Sequence, residues 1–299
     1  MESKTIKKLL LAAKILISAI LLIVILKKVG MQNILVHLQT MDLRYFFLSS
    51  AIYVLLVVIG ALRWRLLLED RFSLGRLCSL YFIGSFFNNI LPGSIGGDTV
   101  KMYYLYQDTG KGGSSFGSVF LDRYIGLFAL LTMGLVSGII AFDELKAVHM
   151  QWVTPALFTA NIAGSLLFFG FRIGSRFSVI ADFYDYSYLY LQRKMVVLKV
   201  FFLSIVLQVL SIGMIAIIAR GLGQQLSFTA LFVFVPVIMI ATTLPISISG
   251  FGVREGAFVL LFGLVGVPPQ ESASISFLWF LSVAVTSLVG LVEYIRFRR

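Results

Sequence analysis

Long apolar runs separated by short polar stretches dominate the chain. A membrane-spanning helix needs about 20 mostly apolar residues. Runs of this kind cover residues 9–26, 45–62, 117–142, 153–171, 196–219 and 272–295, and each predicts a spanning helix. Two further runs are truncated. Residues 77–91 are apolar but short, and they stop at Pro92-Gly93-Ser94-Ile95-Gly96-Gly97-Asp98. Residues 228–244 stop at Pro245-Ile246-Ser247-Ile248-Ser249-Gly250-Phe251-Gly252, and a second short apolar piece, 256–267, follows. Both interruptions read Pro-x-Ser-Ile-x-Gly, at residues 92–97 and 245–250. Paired broken segments in corresponding places of two halves are a sequence sign of a transporter-type site. The expected fold is therefore all-α: a polytopic transmembrane helix bundle with two re-entrant hairpins, about 77–107 and 228–267, related as an inverted repeat within one integral membrane domain, 1–299.

Composition agrees with this pattern. Of the 299 residues, 59% are hydrophobic and 13% charged, about half the charge usual in soluble domains. A soluble protein of this length has too little core to hide so much apolar surface. The net charge of +11 fits cytoplasmic loops facing anionic lipid better than nucleic acid. One cysteine, Cys78, excludes an internal disulfide and a Cys-based metal cluster. The first apolar run is followed by Lys27-Lys28 instead of a small-residue cleavage site, which predicts a retained signal-anchor helix.

With residues 77–116 drawn as a re-entrant hairpin, Lys and Arg crowd one side of the membrane. Arg63, Arg65, Arg71, Arg76, Lys111, Arg172, Arg176, Arg193, Lys194, Lys199 and the basic residues of both termini share it. Lys27, Lys28, Arg44, Lys146 and Arg220 fall on the other. The positive-inside bias then places both termini in the cytoplasm and sends the two hairpins in from opposite faces. Residues 172–196 are the longest polar stretch, with Tyr184, Tyr186, Tyr188 and Tyr190. They predict an interfacial aromatic segment or, failing that, a docking surface for a partner.

Backbone broken at membrane depth must face protein or a water-filled cavity, so the two interruptions are the candidate chemistry. In the first, Gly96, Gly97 and Asp98 open a returning half-helix. Free amides and the helix dipole at such a start suit a phosphate or carboxylate. Lys101 lies one turn further on, and Asn88 and Asn89 precede the break. Asp98 serves either as a simple N-cap or as a partner for a cation or proton. In the second, Gly250 and Gly252 open a half-helix carrying Arg254 and Glu255. Arg254 matches an anionic head group in charge and fork geometry, while Glu255, adjacent on the helix, is expected to face another way; an interfacial Arg and Glu is the plainer reading. The third feature is Asp122-Arg123 inside a long apolar run, where ionisable residues mark function by default. His37 and His149 fall in separate loops, and no HExxH, GxSxG or Walker A pattern is present. No catalytic residue, metal site or cofactor is expected.

These residues resemble one family. Residues 88–98 (NNILPGSIGGD), Asp122-Arg123, Arg63-Trp64 and residues 245–255 (PISISGFGVRE) are similar to the membrane region of lysylphosphatidylglycerol synthase, the multiple peptide resistance factor, which also occurs alone in flippase-like bacterial and archaeal proteins. Where the family usually has Glu-Arg, this chain has Asp122-Arg123, and its second break is less rich in Pro and Gly. The resemblance implies lipid handling: transfer of a phospholipid, an aminoacyl-phospholipid or a polyprenyl-phosphate carrier between leaflets, without the soluble aminoacyl-transfer domain. Two other readings stay open. One is a membrane enzyme acting on a lipid head group through Asp98, Asp122 and Glu255. The other is a non-transporting scaffold for a synthase or glycosyltransferase partner, in which the chain is a subunit or an oligomer.

Overall fold

The computed structural model of the chain describes residues 41–69, 72–90, 96–172, 174–243 and 250–297. The expected anchor helix at 9–26 and the residues 92–95 and 245–249 of the two motifs lie outside them. Among the described residues every regular element is helical. Five helices are long and apolar enough to cross a membrane: α1 (Leu43–Arg65), α4 (Gly112–Ile140), α6 (Val153–Gly170), α8 (Lys194–Gly221) and α11 (Pro269–Phe297). Between them lie α2 (Leu74–Ile90), α3 (Gly96–Thr109), the short α5 (Phe142–Ala147) and α7 (Ser178–Gln192), then α9 (Val235–Thr243) and α10 (Val253–Gly263). Spans α1, α8 and α11 run two or three residues past the apolar runs at both ends, because polar residues such as Arg63 and Lys194 complete the terminal turns, whereas α4 begins five residues before its run and ends two residues short of it.

Pro236 explains the start of the second hairpin. It has no N–H to offer the carbonyl four residues back, and the turn before it, Ala230–Phe234, opens into a π-helix, the usual form of a local bulge in an α-helix. At its far end the chain turns through Gly250 (φ 77°) and Gly252 (φ 80°) into α10, a left-handed conformation that costs glycine almost nothing.

The bundle is built around α1 and α8, which pack antiparallel along much of their length: Gly221 at the end of α8 meets Tyr45 at the start of α1, and Arg63 near the end of α1 bonds Ser204 in the first half of α8. Each of these helices is followed by a hairpin, α2–α3 after α1 and α9–α10 after α8, and then by a long helix, α4 or α11. The packing partners repeat in the same way. Helix α4 lies against α8 as α11 lies against α1, and α3 rests on α4 as α10 rests on α11. Since α1 and α8 run in opposite directions, the two hairpins enter from opposite ends. This is the inverted arrangement that the paired motifs predict.

The two ends differ in charge. Arg65, Arg76, Lys111, Arg172, Arg193, Lys194, Lys199 and Arg296 gather at the end holding the C-terminus of α1 and the start of α8, whereas Arg44, Lys146 and Arg220 mark the other. Helix α7 belongs to the basic end. Its four tyrosines alternate in sequence, but the helix buries Tyr184, Tyr186 and Tyr190 and leaves Tyr188 exposed. Tyr186 donates to the carbonyl of Leu67, and burial, with Tyr190 adding to it, pushes the Tyr186 phenol well above its ordinary pKa.

Candidate functional site

The first hairpin is closed by glycine. A Cβ on Gly97 would sit 1.8 Å from the Gly84 carbonyl oxygen, so α2 and α3 touch backbone to backbone at this level. The other side of α2 is packed as tightly, because a Cβ on Gly290 of α11 would sit 2.0 Å from the Phe82 carbonyl oxygen. Hydrogen bonds from Asn89 to Ser287 (2.8 Å) and from Ser79 to Glu293 (2.8 Å) tie α2 to α11 along the same seam.

Because small residues bring the backbones together, long polar side chains are pressed into the space that remains. A cavity of about 330 Å³ opens between α1, α2, α3, α4, α8 and α11. Lys101, Asp122, Arg123, Asn88 and Asn89 line it, together with Tyr53, Arg63 and Tyr81. At 1.5 Å per residue, Asp122 lies roughly 8 Å inside the apolar run that begins at residue 117, within a hydrocarbon thickness of about 30 Å.

Its charges form two linked clusters. In one, Asp122 accepts from Arg63 Nε (2.8 Å) through Oδ1 and from the Tyr81 hydroxyl (2.5 Å) through Oδ2, and Arg63 also donates to Ser204 (2.9 Å). In the other, Asp98 accepts from Arg123 Nε (2.7 Å) and Nη2 (3.1 Å) and pairs with Lys101 Nζ at 3.0 Å. The Lys101 ammonium lies 4.3 Å from the Tyr81 ring centre and 5.3 Å from that of Trp64. Asp98, Lys101 and Asp122 are buried, but the Arg123 side chain is 52% exposed. Three cations thus share two carboxylates, leaving a surplus of one positive charge. A buried charge must be paired, and each of the three cations has a carboxylate partner; the excess falls at Arg123, the exposed member of the set. The N-cap expectation for Asp98 is corrected: it is the third residue of α3, inside the first turn, and its three contacts to cations make it the hub of the second cluster.

The expected sites meet this geometry unequally. Asn88, Asn89, Lys101, Asp122 and Arg123 line one cavity, and Asp98 joins two of them. The Gly97 amide is directed at Asn88 Oδ1 (2.8 Å) instead of into the cavity, so Asn88 acts there as acceptor. Gly97 shapes the hairpin, Gly96 opens α3, and neither lines the cavity.

The second hairpin is arranged differently. Glu255 reaches back to accept from the Gly252 amide (2.7 Å), and it also accepts from Arg254. The expectation that neighbours on a helix face apart is corrected here: the Glu255 carboxylate folds back over the helix start as a cap, and the long Arg254 side chain curls to meet it. Arg254 is buried, with its guanidinium carbon 4.3 Å from the Phe280 ring centre and 5.4 Å from that of Phe251. Gly250, Gly252, Arg254 and Glu255 do not line the cavity of the first hairpin. Counting from the prolines of the two motifs, Lys101 and Arg254 occupy the same register, so each hairpin buries one cation near the start of its returning helix, Lys101 as the sixth residue of α3 and Arg254 as the second of α10.

Arg63, Tyr81, Tyr53 and Ser204 are functional candidates that the sequence patterns did not single out for the site. Arg63 reads as an interfacial anchor because it stands near the end of an apolar run beside Trp64. Only the antiparallel packing of α1 on α8 turns it inward. Among the described residues, no group of three or more His, Cys, Asp or Glu side chains comes together to hold a metal ion.

Comparison with known proteins agrees with the motifs. Residues 11–290 match the family model described as the lysylphosphatidylglycerol synthase TM region. A UPF0104 membrane protein of Methanothermobacter thermautotrophicus is 24% identical, with 89% of this chain and 87% of the relative covered. Another, from Methanocaldococcus jannaschii, is 21% identical over 95% of this chain and 94% of its own length. A third, from Pyrococcus horikoshii, is 25% identical over 60% of this chain and 53% of the relative.

Proposed function

We propose that this chain, which belongs to the family of the lysylphosphatidylglycerol synthase transmembrane region, carries lipids with an anionic or zwitterionic phosphate head group between bilayer leaflets. The observation that carries the reading is the surplus positive charge within the apolar span of α4, in a cavity walled by the first hairpin. The cavity volume of about 330 Å³ lies at the small end of ligand sites. It has room for a head group while the acyl chains stay in lipid.

In this reading the phosphate takes the exposed face of Arg123 and competes with Asp98 for it. Lys101 adds a second positive charge behind Asp98. The Arg63–Asp122–Tyr81 cluster keeps the opposite wall neutral and fixed, so the field of the cavity is set by Asp98, Lys101 and Arg123. No bond is made or broken, and the chain works as a transporter instead of an enzyme. Movement is downhill or coupled to an ion. The basic end faces the cytoplasm, as the positive-inside bias directs, in the cell membrane of a prokaryote.

Reconstitution into liposomes with head-group-labelled lipids tests the proposal. Faster equilibration of phosphate-bearing lipids across protein-containing vesicles is expected. Equal rates with and without protein, across anionic and zwitterionic head groups, overturn it.

A further inference from the structure

The first turns of α8 present a second kind of surface, away from the cavity. Two apolar grooves flank them. One, of about 420 Å³, runs between α4 and α8 and is lined by Tyr124, Ile125, Phe128, Val197, Leu198 and Phe201, with Lys194 at its edge. The other, of about 490 Å³, lies between the end of α1 and α8 and is lined by Leu66, Leu198, Phe202 and Leu203, with Lys199 at its edge. Leu198 belongs to both and stands between them as a ridge.

Helix geometry explains the arrangement. At 100° per residue, Leu198 falls between Lys194 and Lys199 around the axis of α8. Val197 and Phe201 lie on one side of it, and Leu203 lies on the other. Side chains on a helix lean toward its N-terminus, so both lysines are aimed at the basic end, where long cationic side chains reach the interface from an apolar stem. Arg65, at the end of α1, is there too. Arg65, Lys194 and Lys199 are exposed, and none of the three side chains has an ion-pair partner among the described residues.

We infer that the start of α8 is a binding site for one anionic diacyl phospholipid, seated astride Leu198 with an acyl chain in each groove and its phosphate among Lys194, Lys199 and Arg65. Two apolar grooves that share Leu198 as the ridge between them match the two chains of such a lipid. Lys194 and Lys199, one at the edge of each groove, match its phosphate, with Arg65 next in sequence to the groove residue Leu66. The cavity lies further along α8, at Leu207, so this lipid is separate from one held at Arg123. The inference rests on the membrane-spanning fold and not on the transport reading, so a chain that translocates no lipid still tests it.

The experiment uses the full chain in nanodiscs with phosphatidylglycerol or phosphatidylcholine carrying a photoreactive group in one acyl chain, followed by peptide mapping. Labelling by phosphatidylglycerol is expected at residues 124–128 and 197–203, with phosphatidylcholine labelling there on the order of tenfold weaker, given the attraction of each basic residue for anionic lipid. The double variant Lys194→Glu, Lys199→Glu is expected to remove that preference. On the unaltered chain, excess unlabelled phosphatidylglycerol is expected to compete and phosphatidylcholine to fail, which keeps the test decisive if the double variant does not fold. Equal labelling by the two lipids, competition by both alike, or cross-links joining two copies of the chain at this face overturn the inference.

Discussion

Asp122 and Arg123 are neighbours in sequence, yet each pairs with a different element: Asp122 with Arg63 of α1 at 2.8 Å, and Arg123 with Asp98 of α3 at 2.7 Å. One step of the α4 backbone therefore ties a spanning helix on one side and the re-entrant hairpin on the other. Successive residues on a helix point about 100° apart, which is what lets α4 serve both.

Removing one partner of the buried pair isolates a charge. Asp122→Asn is expected to destabilise the chain by about 3–5 kcal/mol, because Arg63 keeps its burial and loses its carboxylate. The double variant Arg63→Gln, Asp122→Asn is expected to regain a large part of the loss. Unfolding of the purified protein in detergent, read as a double-mutant cycle, measures both.

Glycine contacts in the first hairpin give a contrast between two similar changes. Gly97→Ala forces a Cβ into the Gly84 carbonyl and is expected to prevent normal closure of α2 on α3, with a large drop in thermal midpoint. Gly75→Ala, also in α2, meets nothing within 4 Å and is expected to be neutral or stabilising by up to about 1 kcal/mol, since alanine is the better helix former. Melting curves of the two variants beside the parent chain decide this.

Much of the fold was legible because lipid leaves the helix few alternatives. Every spanning helix among the described residues coincides with an apolar run, and the shared Pro-x-Ser-Ile-x-Gly pattern pointed to the two-hairpin repeat that the packing displays. The side-chain partners were less legible. Arg63 is adjacent to Trp64 in a run that reads as an interface anchor, and nothing local shows that Ser204, 141 residues away, turns it inward. The register shared by Lys101 and Arg254 was visible in the motifs, but the opposite fates of their surroundings were not. Asp98 meets a second cation from α4, whereas Glu255 is taken up by the helix start beside it, and that difference depends on which long helix lies against each hairpin.

Arg123 separates charge from geometry. Arg123→Lys keeps the positive charge but loses the planar fork that holds Asp98 through two nitrogens. It is expected to retain part of the lipid-scrambling rate, while Arg123→Ala abolishes it. Both variants are expected to melt close to the parent chain, because the side chain is half exposed and Asp98 keeps Lys101. Initial scrambling rates at matched protein density, set beside the melting curves, provide the check.

The Arg254–Glu255 pair is expected to behave in the opposite way. Glu255→Gln weakens the cap on α10 and leaves the buried Arg254 without its carboxylate, so a loss of about 3–5 kcal/mol is expected. Head-group preference in the scrambling assay is expected to stay the same among molecules that remain folded, because this pair does not border the cavity. A changed preference places the second hairpin on the lipid path.

The clasp of α2 between Gly97 and Gly290 bears on how the molecule can move. Gly97 comes from the same half of the chain as α2, but Gly290 comes from the other half. With peptide carbonyls seated directly on both, no rotamer change can take up a displacement. If the protein changes shape, α2, α3 and the end of α11 travel as one rigid block, and the fault line cuts through each repeat instead of between them.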